Sequence, residues 1–473
     1  MAAIPTEAQR AKVVDALRQD LEPALHGSVL LPSDDAYDAE RLGFNRTVDL
    51  RPEAAIAVGS AADVVRTVRF AGEHGLPVAV QGTGHGVVLP GNDALLISTR
   101  AMGGVRIDPD ARTARIEAGV LWGKVVQDAA TYGLAPLNGS SPTVGVMGYV
   151  LGGGIGPLGS SFGYAADHVR SLDVVTADGR LREVTAQSDP ELFWALRGGK
   201  GNFGVVTSVE VDLFPLSTVY GGGLFMPGES LPELLRTWRD WAEDVPANMQ
   251  TAIAVVRFPD LDVVPEPIRG KLVGHVRVTY RGSAEEGERL VRPLRQVAEP
   301  LMDTVTNMPY TEIGSVNLDP MEPGPFYERS GRLGSFDDAA IGALLEVAGP
   351  DADFPVTVVE IRRIAGALAV EPEQPNAVPY RRPGYTLFVA APGEGDQVGT
   401  VRAAQQKVLD VLAPWRVGGP FVSFLTAEEG EADQVRGAYE PASYERLVRV
   451  KNEHDPDNVF RVNHNIAPDG RAD

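Results

Sequence analysis

Three glycine-dense segments hold the residues best suited to chemistry. The first, Gly82-Thr83-Gly84-His85-Gly86, follows Pro77 to Gln81, which reads as a strand. Glycines there let backbone N–H groups come close to an anion, and His85 is the one ionisable side chain among them. A lone loop histidine can equally bond its own backbone or face water. The loop is not a dinucleotide-fold turn, because Val87-Val88-Leu89-Pro90-Gly91 puts a helix-breaking pair where the following helix should start, and its spacing is G-x-G-x-G. The second segment, from Gly139 to Gly156, is too rich in glycine for a packed element, so its backbone is expected to pass something flat or phosphorylated. The third, Arg197-Gly198-Gly199-Lys200-Gly201-Asn202-Phe203-Gly204-Val205-Val206, has a lysine but no Gly-Lys-Ser/Thr, which excludes a P-loop.

These segments need a frame, and strand and helix signals alternate between Pro52 and about Phe214. Ala55 to Val58 reads as a strand, and Ser60 then caps a helix with Val64, Val68 and Ala71 on one face, ending at Gly75. Further strands are expected at Leu95 to Ser98, Arg115 to Ala118 and Leu172 to Thr176, with a helix from Leu121 to about Tyr132 stopped by Gly133. Ser188-Asp189-Pro190-Glu191 reads as a capping box opening a helix that bears Leu192, Phe193 and Leu196. Beyond Pro215 come longer strands, Gly274 to Tyr280 and Pro355 to Ile361, a helix at Leu231 to Trp241, and a Pro-rich connection from Glu371 to Pro383. The tail holds a helix at Tyr444 to Glu453 and a turn at Asp455-Pro456-Asp457-Asn458.

The chain has 473 residues, long enough for two hydrophobic cores with a large ligand between them. It contains no cysteine, which rules out disulfides, thiolate catalysis, iron–sulfur clusters and any cofactor bond to sulfur. A formal charge of −21 opposes nucleic acid and anionic membrane surfaces as partners. The first residues, Met1-Ala-Ala-Ile-Pro-Thr-Glu, have no basic and apolar leader pattern, so a cytoplasmic location is expected.

Taken together, the motifs resemble the FAD-linked oxidase superfamily of the vanillyl-alcohol oxidase type, with a PCMH-type FAD-binding domain. Within it they resemble the berberine-bridge-enzyme-like and 6-hydroxynicotine-oxidase-like branch. The resemblance rests on Gln81 to Gly86, Pro142-Thr143-Val144-Gly145 with Gly152-Gly153-Gly154, Asp173 to Gly179, and Asp189 to Gly199 running into Gly201 to Thr207, and it covers residues 50–215 and 435–467. It implies an α+β fold of two domains: residues 1–215 and 431–473 bind FAD, and residues 216–430 form a substrate domain with a large antiparallel sheet.

The resemblance also implies roles for individual residues. Gln81, Gly82, Thr83, Gly84, His85 and Gly86 would wrap the cofactor, with His85 bonded covalently to the flavin. Ser141 stands where some relatives carry a second, cysteinyl attachment, so a single link is expected. Pro142, Val144, Gly145, Gly148, Tyr149, Gly152, Gly153, Gly154, Asp167, His168, Val169, Gly204, Val206, Asn463 and Asn465 complete the expected FAD contacts. The expected base is Tyr439, with Tyr149 as runner-up. Tyr380 and Tyr385 are weighed beside Arg381 or Arg362, and His464 as a base or a hydrogen bonder. At the position of Val144, valine goes with oxidases in this branch. The expected partners are a small organic substrate and oxygen, with peroxide released; the chain would be a monomer or homo-oligomer. An oxidative cyclase or oxygenase of natural-product biosynthesis, a dehydrogenase and a flavin-binding module without turnover are the competing readings.

Overall fold

The computed structural model describes residues 7–86, 89, 91–355 and 357–471. Residues 87, 88 and 90, on which the case against a helix after the first loop partly rests, and the first residues of the leader reading lie outside them.

Strands β1 (Ser28–Leu30), β2 (Ala54–Ala57), β3 (Val78–Gln81) and β4 (Leu95–Ser98) form a sheet in the order β1-β2-β4-β3. β2, β4 and β3 are parallel, and a parallel pair needs a crossover. Helix α1 (Ala61–His74) supplies it, with Ser60 accepting from the Asp63 N–H at its start and Gly75 at φ 66° at its end, as its sequence predicts. β5 (Val105–Asp108), β6 (Thr113–Glu117), β7 (Val169–Val175), β8 (Leu181–Val184) and β9 (Val205–Asp212) form a second, antiparallel sheet in the order β5-β6-β9-β7-β8. Helices α2 (Trp122–Ala130), α3 (Val146–Leu151) and α4 (Pro190–Leu196) join their core. The cap of α4 is Asp189, whose side chain accepts from Leu192 N–H. Ser188 bonds back to Thr185 instead, so the expected box reduces to a single capping residue.

The third sheet is larger. β10 (Thr218–Pro227), β11 (Met249–Arg257), β12 (Leu272–Tyr280), β13 (Phe326–Leu333), β14 (Val358–Ile364) and β15 (Gly384–Pro392) run antiparallel in the order β10-β12-β11-β14-β15-β13. β14 starts later than the expected strand at Pro355. Alternation along the strands decides which side chains face which layer. Ile253, Val255, Val276, Val278, Ile361, Leu387 and Val389 face a core with α5 (Leu231–Asp244), α6 (Ala284–Arg295), α7 (Asp338–Ala348) and α8 (Gln397–Val411). The alternate residues, among them Ala252, Arg277, Glu360 and Arg362, face the other way, toward the glycine segments. The chain then returns: Val422, Val435 and Tyr439 rejoin the first core with Leu447 and Val450 of α9 (Pro441–His454). No helix among the described residues is long and apolar enough to cross a membrane.

Candidate active site

Between the glycine segments and the open face of the third sheet lies a cavity of about 510 Å³. One end is an apolar slot of Val78, Val80, Ala118, Gly204 and Val206; the other meets Arg277, Glu328, Glu360, Arg362 and Phe388 on the sheet. The first loop lies against it with Gly84 at φ 69°, where a Cβ would come within 2.4 Å of Gly43 Cα. No other residue fits that turn without moving the backbone. At Gly86, Gly148 and Gly201, all lining the cavity, an added Cβ would meet nothing within 4 Å, so their backbone lies bare to whatever fills it.

His85 stacks on Phe44, with centroids 3.8 Å apart and planes at 13°. Its Nε2 is 3.0 Å from Thr143 Oγ1, which is 2.9 Å from Ser141 Oγ. Burial pulls the imidazole down to about 4, against the opposing hydrogen bond to the Thr143 backbone, so the ring is neutral at physiological pH.

Fourteen of the expected cofactor residues line the cavity: Gln81, Gly82, Thr83, Gly84, His85, Gly86, Ser141, Val144, Gly145, Gly148, Tyr149, Gly204, Val206 and Asn463. The others do not. Pro142 accepts from Gly123 N–H, and Gly152 accepts from Ser423 Oγ. Gly153 packs on Val378, and a Cβ at Gly154 would fall 2.4 Å from the Tyr149 ring. The flat object that the second segment skirts at Gly154 is therefore this chain's own tyrosine. Asp167 pairs with Arg381 at 2.5 Å and takes a bond from Asn376, a tie between the two halves of the molecule. His168 sits against Asp212; burial works to lower its pKa, and the bonds to Asp212 and Phe162 O with the charges of Asp212 and Asp167 together outweigh it. Val169 is buried at the start of β7, and Asn465 is buried beside the tail turn outside the cavity lining.

The expected base is misplaced. Tyr439 lies in the first core with its hydroxyl donating to Gly198 O at 3.0 Å, and it does not line the cavity. Burial, with Tyr444 beside it, pushes its pKa further up. Tyr149 does reach the cavity, edge-on to Trp122, and burial pushes its pKa up against the nearby Arg362 charge, which favours the protonated hydroxyl, a donor. Tyr380 donates to Tyr439 O, while Tyr385 packs against Trp238 and Phe336 on the far face of the sheet. Arg381 is spent on Asp167; Arg362 is at the site.

Of the sheet wall, sequence reasoning named only Arg362. Glu360 is clamped between Arg277 and Arg362, the latter with Nε donating at 3.0 Å. Burial works to raise its pKa, and the two guanidinium groups more than offset that, so it stays ionised. Glu328 has no cationic partner among the described residues; burial, then the charge of Asp319, lifts its carboxyl to about 7. It can therefore accept a proton near neutral pH. His464 also lines the cavity, with Nε2 donating to Thr426 O at 2.7 Å and Nδ1 3.1 Å from Lys200 Nζ. Burial and the Lys200 charge bring it to about 3, which leaves it a hydrogen bonder and not a base.

A family model described as an FAD binding domain matches residues 52–185, and one described as berberine and berberine like matches residues 421–467. The chain is 30% identical over 474 residues to (R)-6-hydroxynicotine oxidase of Paenarthrobacter nicotinovorans, covering 94% of this chain and 98% of that protein. The crystal structure of 6-hydroxy-D-nicotine oxidase from Arthrobacter nicotinovorans superposes with a TM-score of 0.80 at 27% identity, over 94% of this chain and 98% of the other. Berberine bridge enzyme from Eschscholzia californica shares the fold, with a TM-score of 0.81 at 18% identity over 98% of this chain and 100% of the other. Fold and site thus define an FAD-dependent oxidoreductase. The chain belongs to the berberine-bridge-enzyme-like family of FAD-linked oxidoreductases, with 6-hydroxynicotine oxidase among its relatives.

The walls suit that cofactor. Bare glycine backbone at one side, an apolar slot at one end, and the buried Asn463 Oδ1, which has no hydrogen-bond partner among the described residues, are what a large flat dinucleotide with donors along its length requires.

Proposed function

We propose that this chain is an oxidase of a small organic substrate, with FAD tethered by a single covalent bond to His85. When bound, FAD would supply hydride acceptance at N5 and reoxidation by oxygen to hydrogen peroxide. The observation that carries the tether is His85 itself: a neutral ring on the cavity wall, fixed by stacking on Phe44 and by Thr143. The attachment needs an unprotonated nitrogen held in place, and burial supplies it at any pH well above about 4. Ser141, beside Thr143, does not make the second bond that some relatives form, which supports one tether.

The sheet wall receives the substrate. Arg277 and Arg362 share the single carboxylate of Glu360, so this triad offers donors and keeps one net positive charge. Glu328 takes the proton of a substrate O–H or N–H as the hydride leaves the adjacent carbon, and the neutral Tyr149 hydroxyl orients it. Val144 lies on the cavity lining, where valine favours access of oxygen in this branch. Peroxide release measured across a panel of alcohols, amines and sugars tests the reading: one substrate giving stoichiometric peroxide supports it. Turnover only with an added dye in place of oxygen contradicts it.

A further inference from the structure

Lys200 occupies a backbone position suited to glycine. Its φ is 58°, in the left-handed region that a long side chain enters at a cost, and Gly199 and Gly201 flank it. The conformation is clamped: Lys200 N–H donates to Leu151 O at 3.0 Å, and Asn463 Nδ2 to Gly201 O at 3.3 Å. The side chain lines the cofactor cavity with Nζ 3.1 Å from His464 Nδ1. A carbonyl only accepts, so His464 Nε2 carries the proton that goes to Thr426 O, and Nδ1 is the acceptor for the ammonium. The histidine therefore fixes Lys200 without neutralising it.

The other cations of the cavity are paired. Arg277 and Arg362 share Glu360; Arg329 and Arg402 share Glu428. Lys200 has no carboxylate within ion-pair distance among the described residues, and burial brings its pKa down to about 8, with Glu429 only partly opposing. An ammonium half withdrawn from water and without an anion carries a cost, and a strained backbone that holds it there adds to it. A ligand that brings the anion offsets both.

We propose that Lys200 is an anion-binding residue of the cofactor site, its ammonium pairing with an anionic oxygen of FAD while His464 positions it. This rests on FAD occupying the cavity, and on neither the covalent bond nor the substrate. FAD carries such oxygens on its diphosphate and, once reduced, on the pyrimidine edge of the flavin.

The test compares the full-length protein with Lys200→Met, Lys200→Arg and Lys200→Gly. FAD affinity is measured in a His85→Ala background, where the cofactor can exchange, and the midpoint potential in the otherwise native chain. If the diphosphate is the partner, Lys200→Met weakens FAD binding roughly 10–100-fold, the range of a charged hydrogen bond, and Lys200→Arg restores much of it. If the reduced ring is the partner, the potential falls instead, by about 30 mV for a tenfold loss of preference for the reduced form. Lys200→Gly relieves the backbone and raises Tm, yet shows the same loss as Lys200→Met. Unchanged affinity and potential in Lys200→Met, or a Lys200→Gly protein equal to wild type in both, overturns the proposal. A wild-type protein that binds no FAD overturns the cofactor reading beneath it.

Discussion

The two walls of the cavity are built by different means. The glycine wall is a matter of backbone: turns at Gly84 and Gly204, where a Cβ would collide, and bare stretches at Gly86, Gly148 and Gly201. The sheet wall is a matter of side chains on separate strands, with Arg277 from β12, Glu328 from β13, and Glu360 and Arg362 from β14. A backbone wall recognises what all members of the family share, the cofactor. A side-chain wall can be altered one residue at a time, and there a given chain fits its own substrate.

If Glu328 is the proton acceptor on the second wall, Glu328→Gln lowers kcat/KM by roughly 10²–10⁴-fold while flavin content stays at the wild-type level. The carboxylate form is needed, so the wild-type rate climbs as pH rises through about 7, and the variant loses that limb. Steady-state rates from pH 5 to 9 read both. A retained limb at pH 7 assigns the proton to another group.

Glu360→Ala attacks the same wall through its charges. It leaves Arg277 and Arg362 facing each other in a buried site, a loss of about 3–5 kcal/mol seen in denaturant unfolding. Glu360→Gln, which keeps a hydrogen-bonding side chain, should cost less. Equal stability of the two would mean that the triad is solvated.

Tyr439→Phe should do the least. It removes one hydrogen bond to Gly198 O in a packed core, for a loss of about 1–3 kcal/mol in stability and little change in kcat. A rate loss of a hundredfold would return Tyr439 to the chemistry.

Glu328 also gives a signed stability effect. Its folded pKa of about 7 lies above the ordinary glutamate value, so its ionisation opposes folding progressively as pH rises from about 4 to 7. Glu328→Gln should therefore raise Tm at pH 8 and leave it nearly unchanged at pH 4.

The contrast also explains what could be read in the sequence. The glycine wall is local: Gln81 to Gly86 is one loop after one strand, α1 carries its own cap and stop, and the cofactor loops are contiguous motifs. Where local reading failed, a contact distant in sequence decided. Gly154 is the exception: the ring that covers it belongs to Tyr149, only five residues earlier, and the glycine run does not announce that this ring folds back onto it. Asp167 and Arg381 are 214 residues apart and meet only once both halves are folded. Tyr439 sits in a tail that returns to the cofactor half, and whether its hydroxyl points to the cavity or to Gly198 depends on packing that no spacing encodes. On the sheet, Glu328 and Glu360 are single acids in otherwise ordinary strands. The alternation of apolar partners, Ile361 beside Glu360 for instance, marks the two faces. It was the one available signal, and it required knowing that the polar face opens on a cavity instead of water.

The bond proposed between His85 and FAD is the central claim for the first wall, and mass analysis tests it directly. After denaturation in acid and proteolysis, the peptide containing His85 should carry the mass of the flavin cofactor, and the precipitated protein should stay yellow. If the colour is shed on denaturation and that peptide is recovered unmodified, His85 holds no bond and the tether is wrong.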